Sequence, residues 1–368
     1  MVSVFNCRPN LITDTVRELI SEKWVSESGR KAIKQGRAPI TLKVNTEDKA
    51  VVAASYHHNL RVAIVNSAGN ILLEEKKSKI SSKPEQIAQQ ISELAGNLSG
   101  KYKGEIIGVG IADPGMVDPV KNEVIKSSTF PEWKNVPMAR LVSEKTKLPA
   151  LLGDSSRFSA MAQYWALPEF REAGKTMFYV DYDTNLGFVL VTPEGLFTGA
   201  SFAGELAHVV MDTEGPDCKC GARGCLEVLA GGYALIEKVN TRLSSGAESS
   251  LKNQKDISII NILEAAAAGD RLAKSAVSGV LPVFALALAL AVSAYHPSVI
   301  VVGAGTREAS IYLSHALGNA LFARLQPELA SMTEVRAGEE SGTLVLSGAG
   351  LTVFNEIIMK EKTRFIKA

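Results

Sequence analysis

The chain has 368 residues, 46% of them hydrophobic and 21% charged. That is enough apolar material for two compact α/β domains, at roughly 100–200 residues per domain. A net charge of +1 excludes a surface coated with positive charge for wrapping a polyanion, so any nucleic-acid contact has to be local.

The opening residues, MVSVFNCRPN, are polar and carry no apolar run of the kind a secretory leader needs. The first element is helical: NLITDTVRELISEKWV (10–25) spaces Ile12, Val16, Leu19 and Ile20 along one face and charges along the other. SESGRKAIKQGRAPITLKVN follows, a glycine-punctuated basic segment with Arg30, Lys31, Lys34 and Arg37, which reads as a short β-hairpin or arm. From Lys49, VVAASYHHNLRVAIVNSAGNILLEE reads as apolar strands joined by turns, with Ala68-Gly69-Asn70 as a hairpin signal.

A helix is expected around Pro84 to Leu98, then the strand EIIGVGIADPG, which ends in Asp113-Pro114-Gly115. Strands recur at Met177 to Asp181, Gly187 to Thr192 and Ser298 to Val302, and helices near Arg157 to Trp165, Gly232 to Arg242, Ser258 to Ala268 and Arg271 to Ala294. The apolar stretch Val280 to Tyr295 is shorter than the ~20 residues a membrane span needs, contains Pro282 and runs into a strand. It reads as a core helix, and no membrane partner is expected. Strands followed by alternating helix and strand, twice over, predict two α/β lobes with a cleft between them.

Three of the four cysteines, Cys218, Cys220 and Cys225, fall within eight residues. Disulfide frameworks spread cysteines along a chain, whereas metal sites bunch them, so the cytoplasm is the expected compartment. With His208 they supply one imidazole and three thiols, the donor set of a closed tetrahedral zinc site. Gly221 and Gly224 let the loop fold back so that Cys225 reaches the metal. All four donors come from protein, so no position remains for an activated water and the zinc is expected to be structural. The same segment brings Glu205 and Glu227 beside the loop, where fixed carboxylates suit hydrogen bonds to the vicinal hydroxyls of a sugar.

The run G-E-x-x-H, then C-x-C-G-x-x-G-C-x-E, resembles the signature of the ROK family (repressor, open reading frame, kinase). Asp113-Pro114-Gly115-Met116-Val117-Asp118-Pro119, Trp133-Lys134-Asn135-Val136-Pro137 and Gly153-Asp154 resemble further family motifs in order and spacing, and the resemblance covers roughly residues 45–368. It implies an actin-like, hexokinase-like (ribonuclease H-like) fold of two α/β lobes with sugar bound in the cleft. The first lobe would comprise residues 46–153 with 343–368, the second, with the zinc loop, residues 154–342. Asp154 would stand where family kinases place the general base. Asp154, Glu205, His208 and Glu227 would bind the sugar, and homodimers or tetramers are implied.

The chain departs from the kinases at their phosphate turns. Their D-x-G-G-T-K is represented by Ser55-Tyr56-His57-His58-Asn59-Leu60-Arg61, which has no glycine, and their G-T-G-I-G by Asp183-Thr184-Asn185-Leu186-Gly187, where an aspartate repels phosphate. The adenosine-side G-G-G appears as Gly303-Ala304-Gly305. ATP and magnesium are therefore not expected as cofactors, and Asp154 is expected to bind rather than catalyse.

Family regulators also carry an N-terminal winged helix-turn-helix, which residues 1–45 resemble in part: a recognition helix, a wing and a linker. Asn10, Thr13, Asp14 and Arg17 would then face base edges, with Arg30, Lys31 and Arg37 near phosphates. Only nine residues precede the helix, so DNA is an expected partner once upstream helices are supplied. The reading is a sugar-responsive transcriptional regulator. The alternatives are a ROK sugar kinase of the glucokinase or N-acetylhexosamine kinase type, and a protein-binding pseudokinase scaffold.

Overall fold

The computed structural model describes residues 9–30, 40–57, 59–127, 129–340 and 342–366. Helix α1 (Pro9–Ser21) leads into a hairpin of β1 (Val25–Arg30) and β2 (Ile40–Val44), paired antiparallel with a bulge between Glu27 and Gly29. The helix ends earlier than its periodicity suggests, because Lys23 takes a left-handed φ of 61° and Trp24 turns inward. Trp24 packs on Val51, Val353 and Phe354, and the Lys49 ammonium lies 4.9 Å from its ring centroid.

The first large sheet is built from β3 (Lys49–Tyr56), β4 (Leu60–Asn66), β5 (Ile71–Lys77), β6 (Glu105–Asp113) and β10 (Ala150–Asp154), in the order β10-β6-β3-β4-β5. Strands β3, β4 and β5 are antiparallel neighbours, whereas β6 and β10 run parallel to β3. Parallel pairs need crossovers, supplied here by α2 (Pro84–Ser99) and α3 (Met138–Thr146). A three-stranded sheet of β7 (Met116–Asp118), β8 (Glu123–Lys126) and β9 (Lys134–Val136) stands beside it. Ile87, Ile91, Leu98 and Val142 of the crossover helices meet Val52, Ile64 and Val109 in one core.

The second half begins with α4 (Ser155–Trp165) and α5 (Pro168–Glu172) and repeats the plan. Strands β11 (Met177–Tyr182), β12 (Leu186–Thr192), β13 (Gly195–Leu196), β14 (Val299–Gly303) and β15 (Glu334–Ala337) take the order β13-β12-β11-β14-β15. Again three strands are antiparallel and two are added in parallel. A 3₁₀ turn at Glu205–His208, then α6 (Leu226–Ala230), α7 (Gly232–Ser244), α8 (Ile259–Ala267) and α9 (Arg271–Tyr295), lie between β13 and β14.

Helix α9 is long and apolar enough to cross a membrane, yet 56% of its apolar window is buried, with Phe284, Leu288 and Val292 in the second core. It starts where the Asp270 carboxylate accepts from the Ala273 amide and stops at His296, whose φ is 42°. After α10 (Arg307–Phe322) and α11 (Pro327–Met332), the chain returns as α12 (Leu344–Ile366). Leu346 and Ala349 of α12 close the other face of the first sheet against Ala53, Ala63, Ala112 and Phe158.

Candidate functional site

The carboxyl ends of parallel strands in open α/β sheets form the usual ligand crevice, and here they carry acids. Asp113 and Asp154 end β6 and β10 in register, and Asp181 lies near the end of β11. The Asp113 carboxylate accepts from the Tyr56 hydroxyl (2.9 Å) and the Gly115 amide (2.5 Å), and burial pushes it up to about 6. Asp181 accepts from Ser156 Oγ (2.7 Å) and the Tyr179 hydroxyl (3.4 Å), and burial raises it likewise to about 6. The charge of Asp154 adds to both shifts.

Asp154 caps α4. Its Oδ1 accepts from the Arg157 amide at 2.8 Å, and its Oδ2 is ion-paired with Arg157 Nε at 3.0 Å. Burial raises its carboxyl above the ordinary value, although the Arg157 charge opposes the shift. The Arg157 guanidinium is buried. Its Nη2 donates to the Ser201 carbonyl (2.9 Å), Ser201 Oγ donates to Asp118 (3.1 Å), and Nη1 has no partner among the described residues. Glu205 sits close enough for the Asp154 and Arg157 charges to act on it, and burial, with Asp154 second, holds its carboxyl above the ordinary range.

The expected metal ligands do converge. The donor atoms of His208, Cys218, Cys220 and Cys225 all lie within 4.8 Å of one another. His208 Nδ1 is 3.7 Å from Cys218 Sγ, and Cys220 Sγ is 3.6 Å from Cys225 Sγ. A tetrahedral zinc thiolate with bonds of about 2.3 Å has S···S edges of about 3.8 Å, so the four side chains fit such an ion. The loop closes through backbone bonds from Cys218 N to Ala222 O and from Gly224 N to Pro216 O, both 2.8 Å. Gly221 and Gly224 take φ values of 101° and 65°, and a Cβ at Gly224 would overlap the Asp212 carbonyl oxygen.

Glu227 opens α6 just beyond the metal loop. Its Oε2 accepts from the Leu186 amide at 2.9 Å, which ties the loop to the turn before β12. Its Oε1 is buried without a partner among the described residues, and burial pushes the carboxyl up to about 7. An unpaired buried acceptor of this kind suits a hydroxyl donor. The structure therefore brings Asp154, Glu205 and His208 together, while the hydrogen bond of Glu227 goes to the 183–187 turn.

At the first phosphate-turn position Tyr56 is fully buried. Its ring packs with Trp133 and Phe130 at centroid distances of 6.1 and 6.5 Å. At the second, Asp183 is exposed and its carboxylate accepts from Thr184 Oγ1 at 3.4 Å. Asn10, Thr13, Asp14 and Arg17 lie on the exposed face of α1, where Arg17 and Asp14 pair with each other at 3.4 Å. Arg30 ends β1, whereas Lys31 and Arg37 lie outside the described residues. Sequence reasoning passed over Arg157, Ser156 and Asp181. Asp181 had a signal, a carboxylate within the apolar strand MFYVDY, but Arg157 had none, since an arginine in the first turn of a helix is ordinary.

Comparison with known proteins places these features. The ROK family profile matches residues 57–351. A xylose repressor of Caldicellulosiruptor bescii is 28% identical over 304 residues, covering 79% of this chain and 75% of its own. A glucokinase of Thermotoga maritima is 27% identical over 295 residues, covering 77% of this chain and 91% of its own. The crystal structure of a ROK family transcriptional regulator, a homolog of the Escherichia coli MLC protein, superposes with a TM-score of 0.79 at 21% identity, over 96% of this chain and 92% of that one. The fold is the actin-like, hexokinase-type α/β fold.

Proposed function

The chain belongs to the ROK family, and we propose that within it this protein is a sugar-responsive transcriptional regulator whose cleft binds a sugar without phosphorylating it. The observation that carries the reading is the turn joining β3 to β4, where Ser55 to Arg61 hold no glycine whose backbone could approach a phosphate and Tyr56 is packed into the first core. Arg157 beside Asp154 opposes the rise in its basicity, while each carboxylate oxygen keeps a lone pair for a sugar hydroxyl. At the second phosphate turn Asp183 puts negative charge where a kinase brings nucleotide phosphates, which supports the same conclusion.

In this reading Asp154, Glu205, His208 and Glu227 hold the sugar, and the Cys₃His set takes a structural zinc ion that fixes Glu205 and Glu227 on either side of it. Residues 1–45 supply the DNA-facing part through Asn10, Thr13, Asp14, Arg17, Arg30, Lys31 and Arg37. The lobes are residues 46–153 with 343–368, and 154–342. Sugar binding biases the lobes, and that bias is the signal passed to DNA.

The second reading, a sugar kinase, is favoured by the retained Asp154 and by the similarity to glucokinases. The test is ADP release by zinc-loaded protein with Mg-ATP against hexoses, pentoses and N-acetylhexosamines, with calorimetric sugar binding beside it. Sugar binding without ADP release, weakened at least tenfold by Asp154→Asn, is expected. Sugar-dependent turnover that disappears in Asp154→Asn would establish the kinase instead.

A further inference from the structure

The segment that leads from β13 to the 3₁₀ turn (residues 197–204) carries one residue held from two sides. The Ser201 carbonyl accepts from Arg157 Nη2 at 2.9 Å, and Ser201 Oγ donates to Asp118 at 3.1 Å. Asp118 ends β7 beside the first sheet, where it is buried and also accepts from the Val120 and Lys121 amides at 3.0 and 3.1 Å. Arg157 is fixed in turn by Asp154, the last residue of β10 in the first sheet.

Three residues beyond Ser201 the same segment is bound to the second sheet. Gly204 has a φ of 103°, and a Cβ there would overlap the Phe188 carbonyl oxygen of β12. Only glycine lets the backbone lie so close, so the neighbouring Glu205 is fixed relative to β12. Ser201 thus ties the segment to the first sheet and Gly204 ties it to the second, with Asp154 and Glu205 at the two ends of the tie.

The Arg157 side chain is buried, yet its Nη1 has no partner among the described residues. A buried arginine that serves packing alone spends its donors on protein. Here the donors in use, Nε and Nη2, go to the two segments that carry Asp154 and Glu205. The planar guanidinium presents them as one rigid fork, which fixes the separation of the two acceptors in a way a lysine ammonium does not.

We propose that Arg157 and Asp118 form a clasp on Ser201 that sets the spacing of Asp154 and Glu205. Arg157 is then a positioning residue for the bound sugar, a role that rests on the sugar-binding reading, whereas the clasp itself needs no sugar.

The experiment is hydrogen–deuterium exchange on the zinc-loaded full chain, its Ser201→Ala variant and its Arg157→Lys variant, beside calorimetric titration with xylose, glucose and N-acetylglucosamine. Ser201→Ala removes the hydroxyl bond to Asp118, and Arg157→Lys keeps the charge beside Asp154 but loses the fork. The Ala203 amide, bonded to the Thr198 carbonyl at 3.1 Å within the segment, should exchange at least fivefold faster in both variants. The sugar that binds the wild type best should bind each variant at least fivefold more weakly. Unchanged exchange in Ser201→Ala overturns the clasp whether or not a sugar binds. Full sugar affinity in Arg157→Lys overturns the positioning role, since charge alone would then suffice. Faster exchange in both variants, with none of the three sugars bound by the wild type, supports the clasp and removes the sugar reading, so the two fail separately.

Discussion

Tyr56 and Asp113 lie 57 residues apart, and the hydrogen bond between them is inside the protein. Burial lifts Asp113 to about 6 from an ordinary value near 3.8, so the folded chain holds that proton more tightly than the unfolded chain does. Its contribution to stability is therefore full below about pH 4 and is lost as pH rises through 6. At neutral pH the ionised carboxylate leans on the Tyr56 hydroxyl. Tyr56→Phe should cost about 1–3 kcal/mol at pH 8 and less at pH 5, where Asp113 is mostly protonated. Urea unfolding at the two pH values measures this, and an equal loss at both would mean that the hydroxyl does not discriminate between the two forms of the acid.

At the scale of elements, the metal loop has two supports. One is its backbone ladder, with Cys218 N bonded to Ala222 O and Gly224 N to Pro216 O; the other is the Cys₃His donor set. The 3₁₀ turn that presents Glu205 and His208 packs Ala207 into the second core and is tied to the metal loop where His208 meets the cysteines and where Cys225 Sγ donates to the His208 carbonyl at 3.4 Å. Chelation, or Cys220→Ser, should therefore lower the melting midpoint by several degrees, at about 2–4 °C per kcal/mol for a unit of this size. Sugar affinity should fall with it, because Glu205 loses its support. A midpoint unmoved by chelator would show that the backbone ladder alone holds the loop. The cysteine and glycine spacing makes this element legible in the sequence alone, since the ligands are neighbours in sequence and their chemistry is specific. Glu227 was legible as a residue but not as a partner of Leu186, because that contact spans 41 residues.

At the scale of the molecule, two sheets of the same strand order face their carboxyl ends toward one set of acids, and α12 completes the first of them. The packing of α12 on α4 is close enough that a Cβ at Gly348 would overlap the Phe158 carbonyl oxygen. Gly348→Ala should gain up to about 1 kcal/mol of helix propensity and lose more than that to the overlap, a net loss of roughly 1–3 kcal/mol. Thermal unfolding checks the sign, and a raised midpoint would mean that the two helices separate at no cost.

The sequence by itself determined the alternation of strands and helices, the metal donor set, the loss of glycine from the first phosphate turn and the family. Each of these is written within a few residues, where spacing and side-chain chemistry act directly. Only the tertiary structure decided that Arg157 contacts both oxygens of Asp154, that Asp181 accepts from Ser156, and that Arg61 reaches Gly342 across 281 residues. Those contacts depend on strand register, on which face of a helix meets the sheet and on what is shut away from water. These are properties of the packed chain that no local pattern encodes.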